Sequence, residues 1–215
     1  MNAKKVDRIA TAVIYLLVGI VVLILVALLG FILFTGLPHV TWPFLTSPAS
    51  AFNAGGGIGD QLFNSFYILL LTLLISFPIS LGAGIYLAEY AKKNRITEAI
   101  RITIEVLSSL PSVVVGLFGF LLFVVQFKLG FSIISGAIAL TFFNLPLLTR
   151  NIENSLNGVS NLQREAGLSL GLSRWKTITK VVVPTALPGI ITGIILSAGR
   201  VFGEAAALIY TAGQS

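Results

Sequence analysis

The stretch Gly189-Ile-Ile-Thr-Gly-Ile-Ile-Leu-Ser-Ala-Gly-Arg200-Val-Phe-Gly-Glu204-Ala-Ala-Ala-Leu-Ile-Tyr210 is apolar and glycine-spaced except for one arginine and one glutamate. It is long enough for a helix to cross the hydrocarbon core of a bilayer, which takes about 20 residues. With a span starting near Gly189, Arg200 lies about 16 Å in, close to the middle. Glu204 follows one turn on along the same face, within pairing reach. A charge at the centre of such a helix costs about 2.5–3.5 kcal/mol on insertion scales, so the pair is not expected to face lipid. Two readings stand. An arginine offers planar donors suited to phosphate-like oxygens, and an anion crossing a membrane needs a positive partner, which Glu204 would hold in place. Alternatively the two form an internal ion pair that locks this span to its neighbours.

Four further apolar runs precede it: Ile9–Phe34, and approximately Leu62–Ala88, Val106–Phe127 and Leu129–Thr149. They are continuous, without the period-two alternation of a barrel strand, so helices are expected. Of the chain, 56% is apolar and 10% charged, which places it among all-α integral membrane proteins. The first run, behind Lys4, Lys5 and Arg8, is too long for the apolar core of a cleavable signal and reads as a retained span.

The net charge of +6 is explained by topology rather than by nucleic acid. Lys4, Lys5, Arg8, Lys92, Lys93, Arg95, Arg101, Arg150, Arg164, Arg174, Lys176 and Lys180 all fall in alternate connections. This predicts a cytoplasmic N-terminus. Residues 35–61 hold no Lys or Arg and Lys128 is the exception on the other side; five spans put the end of the chain outside, and a sixth is expected beyond Ser215.

The absence of cysteine excludes disulfides and thiolate metal sites, and one histidine, His39, reads as a surface loop residue. The glycine run Gly55–Gly59 has no preceding strand and no following Gly-Lys-Ser or Gly-Lys-Thr, so it reads as a turn rather than a phosphate cradle. No nucleotide-binding sequence is present, and no cofactor is expected on this chain. Pro78, Pro111, Pro146 and Pro188 lie in or at the ends of spans, where they shape or kink helices.

Residues 150–184 carry the other informative pattern. Ser160 with Gln163 forms a capping box, Gly171 is a helix stop, and Ser173 caps a second helix predicted to end ahead of Pro184. Composition alone suggests an interfacial element anchored by Trp175. The spacing Glu165-Ala166-Gly167, then Gly171, then Val181, Val183 and Pro184, however, resembles the Glu-Ala-Ala loop of ABC importer permeases of the type I fold. Gly167 stands where that family usually has a second alanine, a change worth about 1 kcal/mol against a helix interior. Ala54-Gly-Gly-Gly-Ile-Gly59, Glu105-Val-Leu-Ser-Ser-Leu-Pro-Ser-Val-Val-Val-Gly-Leu-Phe-Gly119 and Gly199-Arg-Val-Phe-Gly-Glu-Ala-Ala206 resemble the phosphate-uptake permeases, the A type more than the C type.

The resemblance implies an all-α, MetI-like helical bundle forming one permease domain over 1–215, with a first span and external loop over 1–52 and the core over 53–215. It implies that the 160–184 loop couples to an ATPase through Glu165, Ala166, Gly167, Gly171 and Pro184, and that Arg200 and Glu204 line the substrate pathway. It implies a non-catalytic subunit of a phosphate importer in a bacterial or archaeal inner membrane. The implied partners are a second homologous permease, two cytoplasmic ATPases carrying ATP and Mg, an external phosphate-binding protein and the lipid bilayer. Other readings are a permease for another oxyanion such as molybdate or sulphate, a secondary transporter or channel with Arg200 and Glu204 as a relay, and an assembly scaffold. Thr141 and Asn144 are weaker pore-lining candidates, Gly193, Ser197, Gly199 and Gly203 are expected packing positions, and Glu105 is expected to pair with Arg101.

Overall fold

The computed structural model describes residues 3–50 and 56–213, and every regular element among them is helical. The chain divides into two compact units, Met1–Leu62 and Phe63–Ser215.

In the first unit, α1 runs unbroken over Ala3–Gly36 and buries none of its apolar window. A helix that is apolar on every face and exposes that surface needs an apolar solvent, and a bilayer supplies one. A 3₁₀ turn, Leu37–His39, follows, in which His39 Nδ1 lies 3.0 Å from the Thr35 carbonyl oxygen at the exposed surface. A short helix, α2 (Trp42–Thr46), is capped by the Thr41 hydroxyl. The glycine run folds back on it: Ile58 N donates to Phe44 O and Gly59 N to Ser47 O. Of the predicted turn, Gly56 and Gly57 are irregular, Ile58 is a bend and Gly59 opens the next helix; Ala54 and Gly55 lie outside the described residues.

The second unit is organised around α6 (Ile133–Asn157). Most of α3 (Gly59–Ile85, continued by a π turn to Tyr90) belongs to this unit, and its stripe Ile68, Thr72, Ser76, Ser80 and Gly84 is buried. The spacing of four gives one face of small and hydroxylated residues, which lets backbones approach where lipid offers no hydrophobic drive. Thr72 donates to Ala137 O (3.5 Å), Asn144 Nδ2 to Ser76 Oγ (3.1 Å) and Ser80 to Leu145 O (3.3 Å). Asn144 therefore fastens α6 to α3, while the Thr141 hydroxyl donates to Ala137 O within α6, and both are buried inside the unit rather than at a pore surface.

Two expectations about span boundaries are corrected. The third apolar run is broken: α4 (Arg95–Ser108) meets α5 (Ser112–Gly119, continued by π turns to Gln126) at 96°. Pro111 at the corner disfavours a helical Leu110 and has no N–H to continue the ladder. The span predicted over Gly189–Tyr210 is also displaced. After α7 (Asn161–Ser169), a continuous helix runs from Arg174 to Phe202, made of α8 (Arg174–Thr177), a π turn (Ile178–Val182) and α9 (Val183–Phe202). It does not stop ahead of Pro184, because that ring sits in the first turn of α9, directly after the wider π turn. The helix ends at Gly203, and α10 (Ala206–Thr211) packs against α5. Among the described residues, four helices are long and apolar enough to cross a membrane, or five if α4 and α5 count as one broken span.

Arg101 does not pair with Glu105. Its Nε lies 2.7 Å from Oε1 of Glu153, whose side chain is 1% exposed, and Arg150 Nη1 lies 3.0 Å from the other oxygen. An exposed pair four residues apart on a helix is worth about 0.3–0.5 kcal/mol, whereas a buried carboxylate stripped of a partner costs about 3–5 kcal/mol, so the inward partner wins.

In the α3–α6 seam there is no room for a side chain at Gly84, where a Cβ would meet Ile152 Cγ2 at 2.6 Å. Gly84→Val is expected to cost about 1–3 kcal/mol through overpacking. A lowered thermal midpoint of the detergent-solubilised protein, with normal membrane insertion, is the outcome to look for.

Candidate functional site

Arg200 occupies the last turn of α9, where the helix dipole favours a cation. Its guanidinium lies 4.0 Å from the ring centroid of buried Phe143, and Nη2 donates to the carbonyl of Ser108 at 3.2 Å. Ser108 is the final residue of α4, so the arginine supplies a donor to a helix end that otherwise leaves carbonyls unpaired. Beside it an apolar cleft of about 260 Å³ is bounded by Leu107, Leu110, Val114, Phe118, Phe142 and Phe143.

Glu204 does not pair with Arg200. The helix ends between them, so they are not on successive turns of one helix. The carboxylate instead accepts from Ala207 N at 3.2 Å, at the start of α10. Among the described residues, Arg200 has no ion-pair partner. Of the small residues nearby, Gly193 lies close to Asn151 and Ser197 is buried, but Gly199 has open space where a side chain would stand.

Up to Ser173 the loop has the helix start and stop that its sequence indicates, but not the complete capping box. Ser160 Oγ accepts from Leu162 N at 3.3 Å, although Gln163 does not close the reciprocal arm of a capping box. At the other end Gly171 N donates to Leu168 O and Leu172 N to Gly167 O, a Schellman stop with Gly171 at φ +77°. Ser173 Oγ then accepts from Lys176 N and starts the long helix. Glu165 and Ala166 are exposed on α7, while Gly167 is buried against Thr177. A Cβ at Gly167 would lie 2.8 Å from Thr177 Cγ2, which accounts for glycine at this position. Pro184 lies within the long helix and outside the α7 turn.

Two residues that the sequence reading did not single out as a site hold the loop down. Arg164 Nε and Nη2 reach Glu89 Oε1 at 3.0 and 2.9 Å, Nη2 also donates to Leu156 O at 2.7 Å, and Nη1 donates to Val159 O. Arg174 donates to the Glu89 carbonyl and lies 4.7 Å from the Tyr90 ring centroid. An acidic residue closing an apolar run was the visible signal; a partner 75 positions away was not.

Residues 80–215 match the family described as binding-protein-dependent transport system inner membrane component. The chain belongs to this family. The permease is 52% identical over 213 residues to the "Probable ABC transporter permease protein YqgI" of Bacillus subtilis, covering 99% of this chain and 72% of the relative. It is 38% identical over 177 residues to the "Phosphate transport system permease protein PstA" of Xylella fastidiosa, covering 82% of this chain and 62% of that one. With the protein of the same name from Pasteurella multocida the identity is 37% over 188 residues, covering 86% and 67%. A chain of the inward-facing MetNI methionine ABC transporter superposes with a TM-score of 0.62 at 19% identity, covering 69% of this chain and 71% of that one, which establishes the shared MetI-like fold. The permease is thus a multi-pass, all-α membrane protein of the ABC importer class, PstA type in sequence.

The left-handed turn gives a direct check. Gly171→Val places a β-branched residue at positive φ, and a loss of about 1–2 kcal/mol is expected, while Gly171→Asn loses less. Thermal unfolding of the two variants in detergent should separate them in that order.

Proposed function

We propose that the permease forms half of the translocation pathway of an ATP-driven importer for inorganic phosphate. The observation that supports this reading best is the guanidinium of Arg200, half-buried at a helix corner and not neutralised by Glu204. A guanidinium carries five N–H donors in a planar fork, and the Ser108 carbonyl takes one. The remainder suit the oxygens of a tetrahedral anion, with Phe143 and Ser108 fixing the plane. Glu204, anchored at α10, leaves the arginine's charge available while limiting the net positive field.

The rest of the reading follows the helix. Exposed Glu165 and Ala166 on α7 face an ATPase, and Gly171 joins α7 to a helix that continues to Phe202. A push on α7 therefore acts at the foot of a 29-residue rod, about 43 Å long, whose far end carries Arg200. ATP and Mg act on two partner ATPases and this subunit is non-catalytic. A second homologous permease supplies the other half of the path, and an external binding protein delivers phosphate. The N-terminus is cytoplasmic, in a bacterial or archaeal inner membrane, and no nucleic acid is involved. The PstA-type sequence favours phosphate over another oxyanion, and the same guanidinium chemistry would serve either.

In the full assembly, Arg200→Gln is expected to lower labelled phosphate uptake at least a hundredfold while ATP hydrolysis stays within about threefold, because one charge-assisted contact worth about 3 kcal/mol is removed from the path. Unchanged uptake would return Arg200 to a purely structural role, and uptake of labelled molybdate or sulphate in place of phosphate would reassign the anion.

A further inference from the structure

We infer that Glu89 is a positioning residue for coupling, a latch that clamps α7 and the foot of the long helix to the end of α3. This rests on the reading of α7 as the ATPase-coupling element and goes beyond it by naming what carries the push into the bundle.

Glu89 lies in the π turn that closes α3, with a side chain 8% exposed. Both of its functional ends are used, and by different elements. The carboxylate takes two N–H groups of Arg164 on α7, and the backbone carbonyl takes one from Arg174 on α8. Arg174 also covers the Tyr90 ring, and Arg164 extends past Glu89 to the carbonyls of Leu156 in the last turn of α6 and Val159 just beyond it. Three segments, α3, α6 and the α7–α8 corner, are thus tied through one carboxylate and two guanidiniums.

The geometry separates holding α7 in place from holding the bundle together. The α6–α9 core, with Leu148, Ile152, Leu156, Val182, Ala186 and Ile190, is apolar and does not use Glu89. Between α7 and the long helix, by contrast, lies a cleft of about 340 Å³ bounded by Glu89, Arg164, Leu168, Arg174, Thr177 and Ile178. The Thr177 hydroxyl in its wall is buried without a hydrogen-bond partner. Contact across this corner is close only where Gly167 meets Thr177, with the cleft beside it, so the charged clasp acts with that single contact to fix the angle of α7. Without it, a push from below would rock α7 on its Gly171 turn instead of moving α3 and α9 together.

The chain has no cysteine, so a single spin label at Leu170→Cys, a position 82% exposed on the α7 corner, attached to this subunit before it is assembled with partners cleared of reactive cysteine, reports motion there in the complete transporter. Glu89→Gln is expected to raise the label's mobility at least twofold with the ATPases still bound. It is further expected to lower phosphate taken up per ATP hydrolysed at least tenfold while hydrolysis stays within about twofold. Unchanged mobility, or uptake and hydrolysis falling in parallel, would overturn the latch. Should Glu89→Gln not assemble, Arg164→Lys keeps the charge but cannot reach Glu89 and both carbonyls together, and the same two changes are expected from it. Glu165→Arg on the exposed face of α7 tests the underlying reading separately: if the ATPases remain bound and hydrolysis and transport are normal, α7 is not the coupling element. The label readout does not depend on which anion is carried.

Discussion

Helix ends inside a membrane protein leave carbonyl groups that lipid cannot satisfy, and in this chain arginine side chains reach them at the ends of α3, α4 and α6. Arg101 donates to Leu87 O and Arg174 to Glu89 O at the close of α3, Arg164 to Leu156 O in the last turn of α6 and to Val159 O after it, and Arg200 to Ser108 O at the end of α4. Each guanidinium then has donors left over for a second partner. Those second partners define what each corner does: Glu153 for Arg101, Glu89 for Arg164, the Tyr90 ring for Arg174 and the Phe143 ring for Arg200. Lysine could not substitute at these corners, because a single ammonium lacks the planar fork that meets two acceptors at once.

Around those corners the packing is made by small and hydroxylated residues at spacing four. The α3 stripe from Ile68 to Gly84 lies against α6, and Gly189 and Gly193 of α9 lie against Ser155 and Asn151 on another part of α6. α6 is accordingly the most enclosed of the membrane-length helices. It also carries Glu153, the one carboxylate that joins Arg101 and Arg150 inside the unit. A fixed central helix with arginine-fastened ends gives the outer helices something to move against.

The separation of Arg200 from Glu204 changes the chemistry of that site. Paired, they would be a neutral strut. Parted by the stop at Gly203, one is a cation resting on an aromatic face and the other caps a new helix. The same stop puts Arg200 at the tip of the helix whose foot follows directly on the α7 turn.

The sequence by itself determined the all-helical membrane class, the existence of the spans, the Gly171 stop and the Ser160 and Ser173 caps, and the family resemblance. These depend on length, composition and contacts within a few residues, all of which are printed in order along the chain. It also marked Pro111 as a kink site, but not the 96° angle that turns α4 away from α5. Pro184 looked like a boundary and was absorbed, since whether a proline ends a helix depends on the turn before it. Only the tertiary structure decided that Arg101 reaches Glu153 rather than nearby Glu105, that Arg164 reaches Glu89, and that Arg200 leaves Glu204 for Ser108 and Phe143. A charged group settles on the partner whose burial leaves the least unsatisfied, and here those partners lie 52 to 92 positions away.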